Sequence, residues 1–299
     1  CHLIEDKKLT DFQELALTQI KQIFSSKDVC LLHGVTSSGK TEIYIKLIKE
    51  QLSRGKQVLY LLPEIALTTQ IVKRLRQHFG DKVGVNHSHL NNSERIEVWN
   101  AVRQKDDKQI IYPIMLGARS SLFLPFDNLG LIIIDEEHDS SFKQNQPAPR
   151  YNARDAAIYL AKLHNSKVLL GSATPSVETY YNTQQKKYGL VEMYSRFEGI
   201  ALPKIQVVDI RKAHLKRQMN HHFSPEMLIS IKQNLDEGKQ IILFQNRRGY
   251  SPLLSCDICA YTPNCKQCDV SLTYHKWNNH LKCHYCGYTE SLPDACPSC

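Results

Sequence analysis

The stretch Val29–Thr41, VCLLHGVTSSGKT, constrains the fold more than any other part of the chain. A short leucine-rich run feeds the turn Gly34-x-x-x-x-Gly39-Lys40-Thr41, and a helix-periodic segment follows. Strand, glycine-bracketed loop and helix, in that order, are what a phosphate-binding loop requires. Glycine lets backbone N–H groups curl around phosphate oxygens, and the helix N-terminus adds a favourable dipole. In this pattern Gly34, Ser38 and Gly39 cradle the phosphates, Lys40 faces the β and γ phosphates, and Thr41 ligates Mg²⁺. An ordinary βα turn would match the four fixed positions by chance about one time in a hundred in a chain this long. The pattern predicts a nucleotide-binding α/β protein.

The flanking sequence supports that prediction. Leu9–Phe24 reads as a helix with Thr10 as N-cap and Leu15, Ala16, Ile20 and Ile23 as its apolar stripe. Gln13 lies just upstream of the loop, and its amide offers a donor and an acceptor to an adenine edge or, equally, to water. Beyond the loop, helices are predicted over Glu42–Arg54 and Ala66–Phe79 and after Ser93. Strands are predicted at Val58–Leu62, Val83–Val85, Ile110–Met115, Leu131–Ile134 and Lys167–Leu170. Such alternation implies a mostly parallel sheet with helices on both faces, and ligands at the carboxyl ends of its strands.

Leu131–Ile134 runs directly into Asp135-Glu136-Glu137-His138. A buried strand that delivers two carboxylates to a sheet edge gives Asp135 the place of a Mg²⁺ ligand and Glu136 that of the base for an attacking water. Together with the loop, this predicts nucleotide hydrolysis, with Lys40, Asp135 and Glu136 as the catalytic residues. Gly171-Ser172-Ala173-Thr174-Pro175 follows the next strand, and its small hydroxyls suit hydrogen bonding to the acidic loop.

Eight of the ten cysteines form Cys-x-x-Cys pairs: Cys256/Cys259, Cys265/Cys268, Cys283/Cys286 and Cys296/Cys299. In a long nucleotide-binding chain this reads as metal binding in a reducing cytoplasm, two thiolates per pair and two zinc ions in all. Between Cys268 and Cys283, VSLTYHKWNNHLK alternates around Asn278-Asn279, a hairpin signal. A hairpin groups Cys265, Cys268, Cys283 and Cys286 around one ion, and elimination leaves Cys256, Cys259, Cys296 and Cys299 for the other. Lys266, His275, Lys276, Trp277, His280 and Lys282 give this module a basic, aromatic surface. The formal charge of +8 points to an anionic partner, but eight thiolates and two zinc ions would reduce it to about +4. No apolar run reaches the length of a membrane span and no signal peptide is visible, so no membrane partner is expected.

The ordered set LTDFQ, GVTSSGKTEIY, LLPEIALTTQ, HSHL, GARSSLFLP, IIIDEEHDSSFKQ, PRYNARD, GSATPS, QNRRGY and the four cysteine pairs resembles the PriA family of replication-restart helicases, in superfamily 2. The resemblance covers Leu9 to Cys299. It implies that Gln13 reads adenine, that ATP and Mg²⁺ occupy the loop, and that Arg119 and Ser120 grip the DNA backbone. It also implies that Phe142–Arg154 is an aromatic-rich loop coupling DNA contact to hydrolysis, with Phe142, Lys143, Arg150 and Tyr151 supplying stacking faces and phosphate donors. The family's zinc sites are nested as the hairpin predicts. Ser37 departs from the glycine usual in the family's loop.

The implied organisation is a linker tail over 1–8 and a first RecA-like motor domain over 9–200. The beginning of a second RecA-like lobe over 201–250 and a two-zinc module over 251–299 follow. Within 201–250, strands are predicted at Ile205–Ile210 and Gln240–Phe244 and a helix at Pro225–Leu235. The start at Cys1 and the absence of the family's later motifs, its arginine finger included, predict a central fragment that turns over little ATP by itself. The resemblance implies an ATP-dependent 3′–5′ DNA helicase acting on forked or single-stranded DNA in the bacterial cytoplasm, at the nucleoid. Replication-restart and primosome proteins and single-stranded-DNA-binding protein are its implied partners, and it is expected to be a monomer. The alternative is a non-enzymatic scaffold that binds DNA structures and recruits replication proteins through the zinc module.

Overall fold

The computed structural model describes residues 8–63, 69–87, 90–103, 105–106, 109–194, 204–244, 254–256, 258–259, 261–266, 270–284 and 286–299. Several sequence expectations lie outside the described residues: the tail before residue 8, residues 64–68 of PEIALT, 88–89 of HSHL, QNRRGY at 245–250, and Cys268. The chain divides into two compact units, residues 1–201 and 202–299.

The first unit follows the predicted alternation. Its elements begin with α1 (Asp11–Phe24), β1 (Val29–Gly34), α2 (Lys40–Ser53), β2 (Gln57–Leu61), α3 (Thr69–Phe79), β3 (Val83–Asn86) and α4 (Asn92–Arg103). After the short β4 (Lys105–Asp106) and β5 (Gln109–Ile110) come β6 (Ile114–Gly117), β7 (Leu129–Asp135), α5 (Ala153–Leu163), β8 (Lys167–Ser172), α6 (Val177–Gln184) and β9 (Gly189–Met193). Seven strands form one sheet in the order β3-β6-β2-β7-β8-β1-β9, and every pairing is parallel.

Parallel strands covered on both faces carry continuous aliphatic runs, and Ile132, Ile133 and Ile134 are fully buried in β7. Side chains alternate along each strand. Leu32, Tyr60 and Ile133 pack with Ile20, Ile43 and Leu75 from α1, α2 and α3. Leu31, Leu59 and Ile132 pack with Val98, Ala153 and Ala157 from α4 and α5 on the other face. Because β8 lies between β1 and β7, the loops leaving these three strands are neighbours at the carboxyl edge, where α/β sheets bind ligands.

The structure corrects four local expectations. Thr10 caps α1 and Gln13 closes a capping box with it, but Leu15 is 57% exposed and the buried stripe runs through Gln13, Ala16 and Ile20. The strand read at Ile110–Met115 is split, because Pro113 cannot donate to a ladder, and β6 starts at Ile114. The edge strand β9 carried no sequence signal strong enough to be read. The strands read at Ile205–Ile210 and Gln240–Phe244 do not form; α7 (Ile210–Leu215) and α8 (Pro225–Asp236) are the elements of that region. Ile205, Val207, Ile242 and Phe244 are highly exposed. A lone extended run needs neighbouring strands to be stable, and none pairs with these runs among the described residues.

The cysteine-rich part of the second unit contains a three-stranded antiparallel sheet of β10 (Thr273–His275), β11 (His280–Lys282) and β12 (Thr289–Ser291). Asn279 turns the β10–β11 hairpin with φ 46°. The buried residues beneath it are Leu272, Leu281, Cys265 and Cys283.

Candidate nucleotide and zinc sites

The loop between β1 and α2 is closed by contacts of its own. Gly39 caps α2 with φ +83°, and a Cβ there would lie 2.1 Å from Gln13 Nε2, so only glycine fits. Gln13 is buried, not solvated: Oε1 accepts from the Thr10 N–H at 3.0 Å and Nε2 donates to the Ser38 carbonyl at 3.4 Å. It braces the loop to α1. Lys40 Nζ donates to the Gly34 carbonyl at 2.8 Å, inside the turn. Ser38 Oγ is buried without a hydrogen-bond partner, although buried hydroxyls are nearly always paired. The first N–H groups of α2 have no acceptor within the helix, and Thr41 stands among them. An orphaned hydroxyl, free N–H groups and one ammonium make a donor set that fits a phosphate chain.

Asp135 closes β7 at the same sheet edge. Its Oδ1 accepts from Tyr44 Oη at 3.0 Å and from the Glu136 N–H at 3.2 Å; its Oδ2 accepts from Tyr60 Oη at 3.2 Å. Burial raises the Asp135 pKa, opposed first by the Tyr44 hydrogen bond and then by the Lys40 charge. Burial also raises that of Glu136, with the Asp135 charge adding to it and Lys40 opposing. Glu136 has φ 51°, a left-handed conformation that is costly for a residue with a side chain. His138 Nδ1 lies 2.8 Å from Ser172 Oγ and its Nε2 lies 3.3 Å from Thr174 Oγ1, so the small hydroxyls after β8 do meet the acidic loop.

The Glu137 side chain is completely buried. Its carboxylate accepts from the Ser176 N–H at 2.7 Å, Ser176 Oγ at 3.1 Å, Thr179 Oγ1 at 2.8 Å and Arg154 Nη1 at 3.1 Å. Arg154 opens α5 and also donates to Ser176 Oγ at 2.5 Å and Asp155 at 3.0 Å. One buried network therefore ties the acidic strand end, α5 and the start of α6.

The segment before α5 is a narrow hairpin-like loop. Lys143 bridges to Asn152, Gln144 N–H donates to the Tyr151 carbonyl, and Lys143 Nζ donates to the Arg150 carbonyl at 2.7 Å. Arg119 Nη1 reaches into it, donating to the Ser141 and Lys143 carbonyls at 2.9 Å each. Ser120, Lys143 and Arg150 are exposed. Phe142 is a correction to the sequence reading: it is 1% exposed, packed in the core beneath α5, and has no face to offer a base. Phe123, which the motif reading passed over, is 59% exposed and meets the Tyr151 ring edge-on at 5.3 Å.

In the second unit the sulfurs of Cys256, Cys259, Cys296 and Cys299 lie within 4.8 Å of one another, and those of Cys265, Cys283 and Cys286 form a second group. Sulfur–sulfur separations are 3.6 Å for Cys256–Cys299 and Cys259–Cys296, and 3.4 Å for Cys265–Cys286. Four thiolates at 2.3 Å around one tetrahedral zinc stand about 3.8 Å apart, so the donor sets fit that ion. The N–H groups of Cys259 and Ile258 point at the Cys256 sulfur and lower its pKa to about 6, which favours the ligating thiolate.

The family described as DEAD/DEAH box helicase matches residues 10–183, from the N-cap of α1 almost to the end of α6. This chain belongs to that family. The description "PriA DNA helicase Cys-rich region (CRR) domain" matches residues 265–290 of the chain. The replication restart protein PriA of Bacillus subtilis (strain 168) is 43% identical over 99% of the chain and 36% of its own length. That of Rickettsia conorii (strain ATCC VR-613 / Malish 7) is 43% identical over 97% of the chain and 43% of its own length. The chain thus spans less than half the length of these relatives. A solved structure of RecG bound to a three-way DNA junction is 24% identical, with TM-score 0.43, over 62% of this chain and 24% of that one. With seven parallel strands in one sheet and the two family matches, the chain has a RecA-like parallel sheet and a cysteine-rich zinc module. No helix among its described residues is long and apolar enough to cross a membrane.

Motif spacing singled out Gln13 on α1, which braces the loop after β1, Gly34, Ser38, Gly39, Lys40 and Thr41 in and around that loop, and Asp135 and Glu136 at the end of β7, at the same sheet edge. It gave no role to Tyr44, Tyr60, Glu137 or Arg154. Tyr44 follows Thr41 by three residues and shares its helix face, a signal present in the sequence; Tyr60 sits within an aliphatic strand and reads there as core.

Proposed function

We propose that the chain is the ATP-driven motor segment of a 3′–5′ DNA helicase of replication restart. The observation that supports this best is the buried, unpartnered Ser38 hydroxyl beside Lys40, in a loop that neighbours the Asp135–Glu136 edge. With ATP bound, Lys40 would turn its ammonium from the Gly34 carbonyl to the β and γ phosphates, and the Thr41 hydroxyl and Asp135 would hold Mg²⁺. Glu136 takes the proton of the attacking water, a role suited to a carboxylate whose pKa is raised. When bound, Mg²⁺ offsets the charge that develops on the phosphates. Gln13 holds the loop and presents its remaining amide hydrogen toward the base.

Residues 9–200 form the first motor domain, 201–250 begin the second, and 251–299 are the zinc module, with residues 1–8 leading in. Ser120, Lys143 and Arg150 contact DNA phosphates, and Tyr151 stacks on a base. Arg119 serves DNA by fixing the loop, since its guanidinium is engaged by two loop carbonyls. Cys256, Cys259, Cys296 and Cys299 bind one zinc; Cys265, Cys283, Cys286 and Cys268 bind the other. Forked DNA is the substrate, and restart, primosome and single-stranded-DNA-binding proteins are partners in the bacterial cytoplasm. ATP binding and turnover by the chain, with and without forked DNA, test this: weak ATP binding and very slow turnover, even with DNA present, are expected. No ATP binding under either condition would sink it.

A second reading, a DNA-binding scaffold with an idle ATPase, is favoured by Trp277, which stands 96% exposed at the hairpin tip. Lys40→Ala and Cys283→Ser variants separate the two. The helicase reading requires Lys40→Ala to abolish restart, and the scaffold reading requires it to be silent.

A further inference from the structure

We propose that Tyr44 and Tyr60 are positioning residues for Asp135: two buried phenols that hold both oxygens of one carboxylate and fix the direction in which it meets a nucleotide-bound divalent ion. The inference rests on the nucleotide reading above. Tyr44 and Tyr60 are both completely buried, in a cluster whose other members are almost all aliphatic. A phenylalanine would fill either place without needing a partner, whereas a buried phenol is costly unless its hydroxyl is bonded. Both hydroxyls donate to the same acid, Tyr44 to Oδ1 at 3.0 Å and Tyr60 to Oδ2 at 3.2 Å. The rings meet edge-on at 5.6 Å, which holds each against rotation.

The two phenols come from different elements, and that is what makes them a positioning device. Tyr60 is on β2, where it pairs in register with Ile133, two residues before Asp135. Tyr44 is on α2, three residues after Thr41 and four after Lys40, so the helix that carries the loop's ligating groups also grips the carboxylate. The β8 backbone closes the arrangement: a Cβ on Gly171 would lie 1.9 Å from Tyr44 Oη and 3.1 Å from Asp135 Oδ1. Helix, two sheet strands and acid are thereby held at one spacing.

Calorimetric titration of the chain with ADP, once in Mg²⁺ and once in EDTA, tests the proposal. Tyr44→Phe should keep the circular dichroism spectrum and leave affinity in EDTA within about twofold, while cutting the Mg²⁺ enhancement roughly tenfold. Tyr60→Phe, which loses the longer bond, should cut it about threefold. Gly171→Ala should reproduce the Tyr44→Phe effect by pushing the hydroxyl aside. Equal weakening in both buffers would mean that the phenols only stabilise the fold, and it overturns the proposal. An unchanged Mg²⁺ enhancement in both Phe variants also overturns it and leaves the nucleotide reading standing. Failure of the parent chain to bind ADP in either buffer overturns both.

Discussion

Strand β7 and the β10–β11 hairpin each bring chemistry-bearing side chains to one place, and they do it with opposite resources. β7 lies between β2 and β8 with Ile132, Ile133 and Ile134 fully buried on two packed faces. Its carboxylates are placed by backbone pairing and apolar packing, and Asp135 is held by two phenol hydroxyls, so their geometry does not depend on a bound ligand. The hairpin has three-residue strands and two fully buried leucines, Leu272 and Leu281. So small a body cannot bury enough apolar surface to fold by that means, and metal–thiolate bonds must supply the difference. A site built by packing survives the loss of its ligand, and a site built by its ligand does not.

Zinc removal should break this comparison most visibly. Structural zinc contributes about 10–16 kcal/mol in small domains. Chelation is expected to unfold the cysteine module and expose its thiols to a chromogenic reagent, while the far-UV spectrum and melting of the sheet persist. Cys30, buried in β1 with its pKa pushed up to about 12, should stay unreactive. Cys296→Ser should release one zinc equivalent and leave the hairpin folded, whereas Cys283→Ser should lose the hairpin. Concerted loss of sheet and module on chelation would refute the division.

In the first unit the corresponding substitutions should cost function and not folding. Lys40→Ala removes the cation from the loop and should abolish ATP binding. Glu136→Gln should bind ATP normally and lose about 10²–10⁴ in turnover, the usual worth of a positioned base. Stopped turnover with intact binding is the outcome to measure; parent-like turnover of Glu136→Gln removes that residue from the mechanism.

The Glu137–Arg154 network sharpens the comparison, since it is an ion pair with both side chains buried among the described residues of the first unit. Arg154→Met leaves the Glu137 carboxylate without its countercharge, and breaking such a pair costs about 3–5 kcal/mol. Chemical denaturation should show this loss. Glu137→Gln should cost less, because the amide keeps its bonds to Ser176 and Thr179. If Arg154→Met is as stable as the parent, the network does not hold α5 to the acidic strand end.

How much of this was legible follows the same physics. A parallel sheet announces itself in aliphatic runs of fixed length, so β1, β7 and β8 and the loops after them could be read to within a residue or two. The edge strand β9 could not, because GLVEM has one partner and an exposed face. The cysteine spacing carried the hairpin, since thiolate pairs and an Asn-Asn turn are local signals. Tyr60, Glu137 and Arg154 were opaque for another reason: their roles depend on partners that only the assembled sheet brings near. Phe142 was misread because a motif containing an aromatic does not say which way its ring faces.

The smallest expected effect lies in the loop itself. Ser37 adopts φ 65°, so the serine that stands where the family's glycine is usual sits in a region that costs a side-chain-bearing residue about 1–2 kcal/mol. Glycine carries no such strain, but it loses more conformational freedom on folding, which offsets part of the gain. Ser37→Gly should therefore stabilise the first unit by about 0.5–1 kcal/mol, a rise of roughly 1–4 °C in its melting temperature. The module's zinc-dependent unfolding should not move, because Ser37 belongs to the other unit. ATP affinity is the sharper readout. If strain at Ser37 is what shapes the loop around the orphaned Ser38 hydroxyl, relief of that strain leaves affinity unchanged or weaker while the fold gains. A destabilised Ser37→Gly variant would mean that the Ser37 side chain makes a compensating contact, and the left-handed turn would then be a cost the loop does not bear.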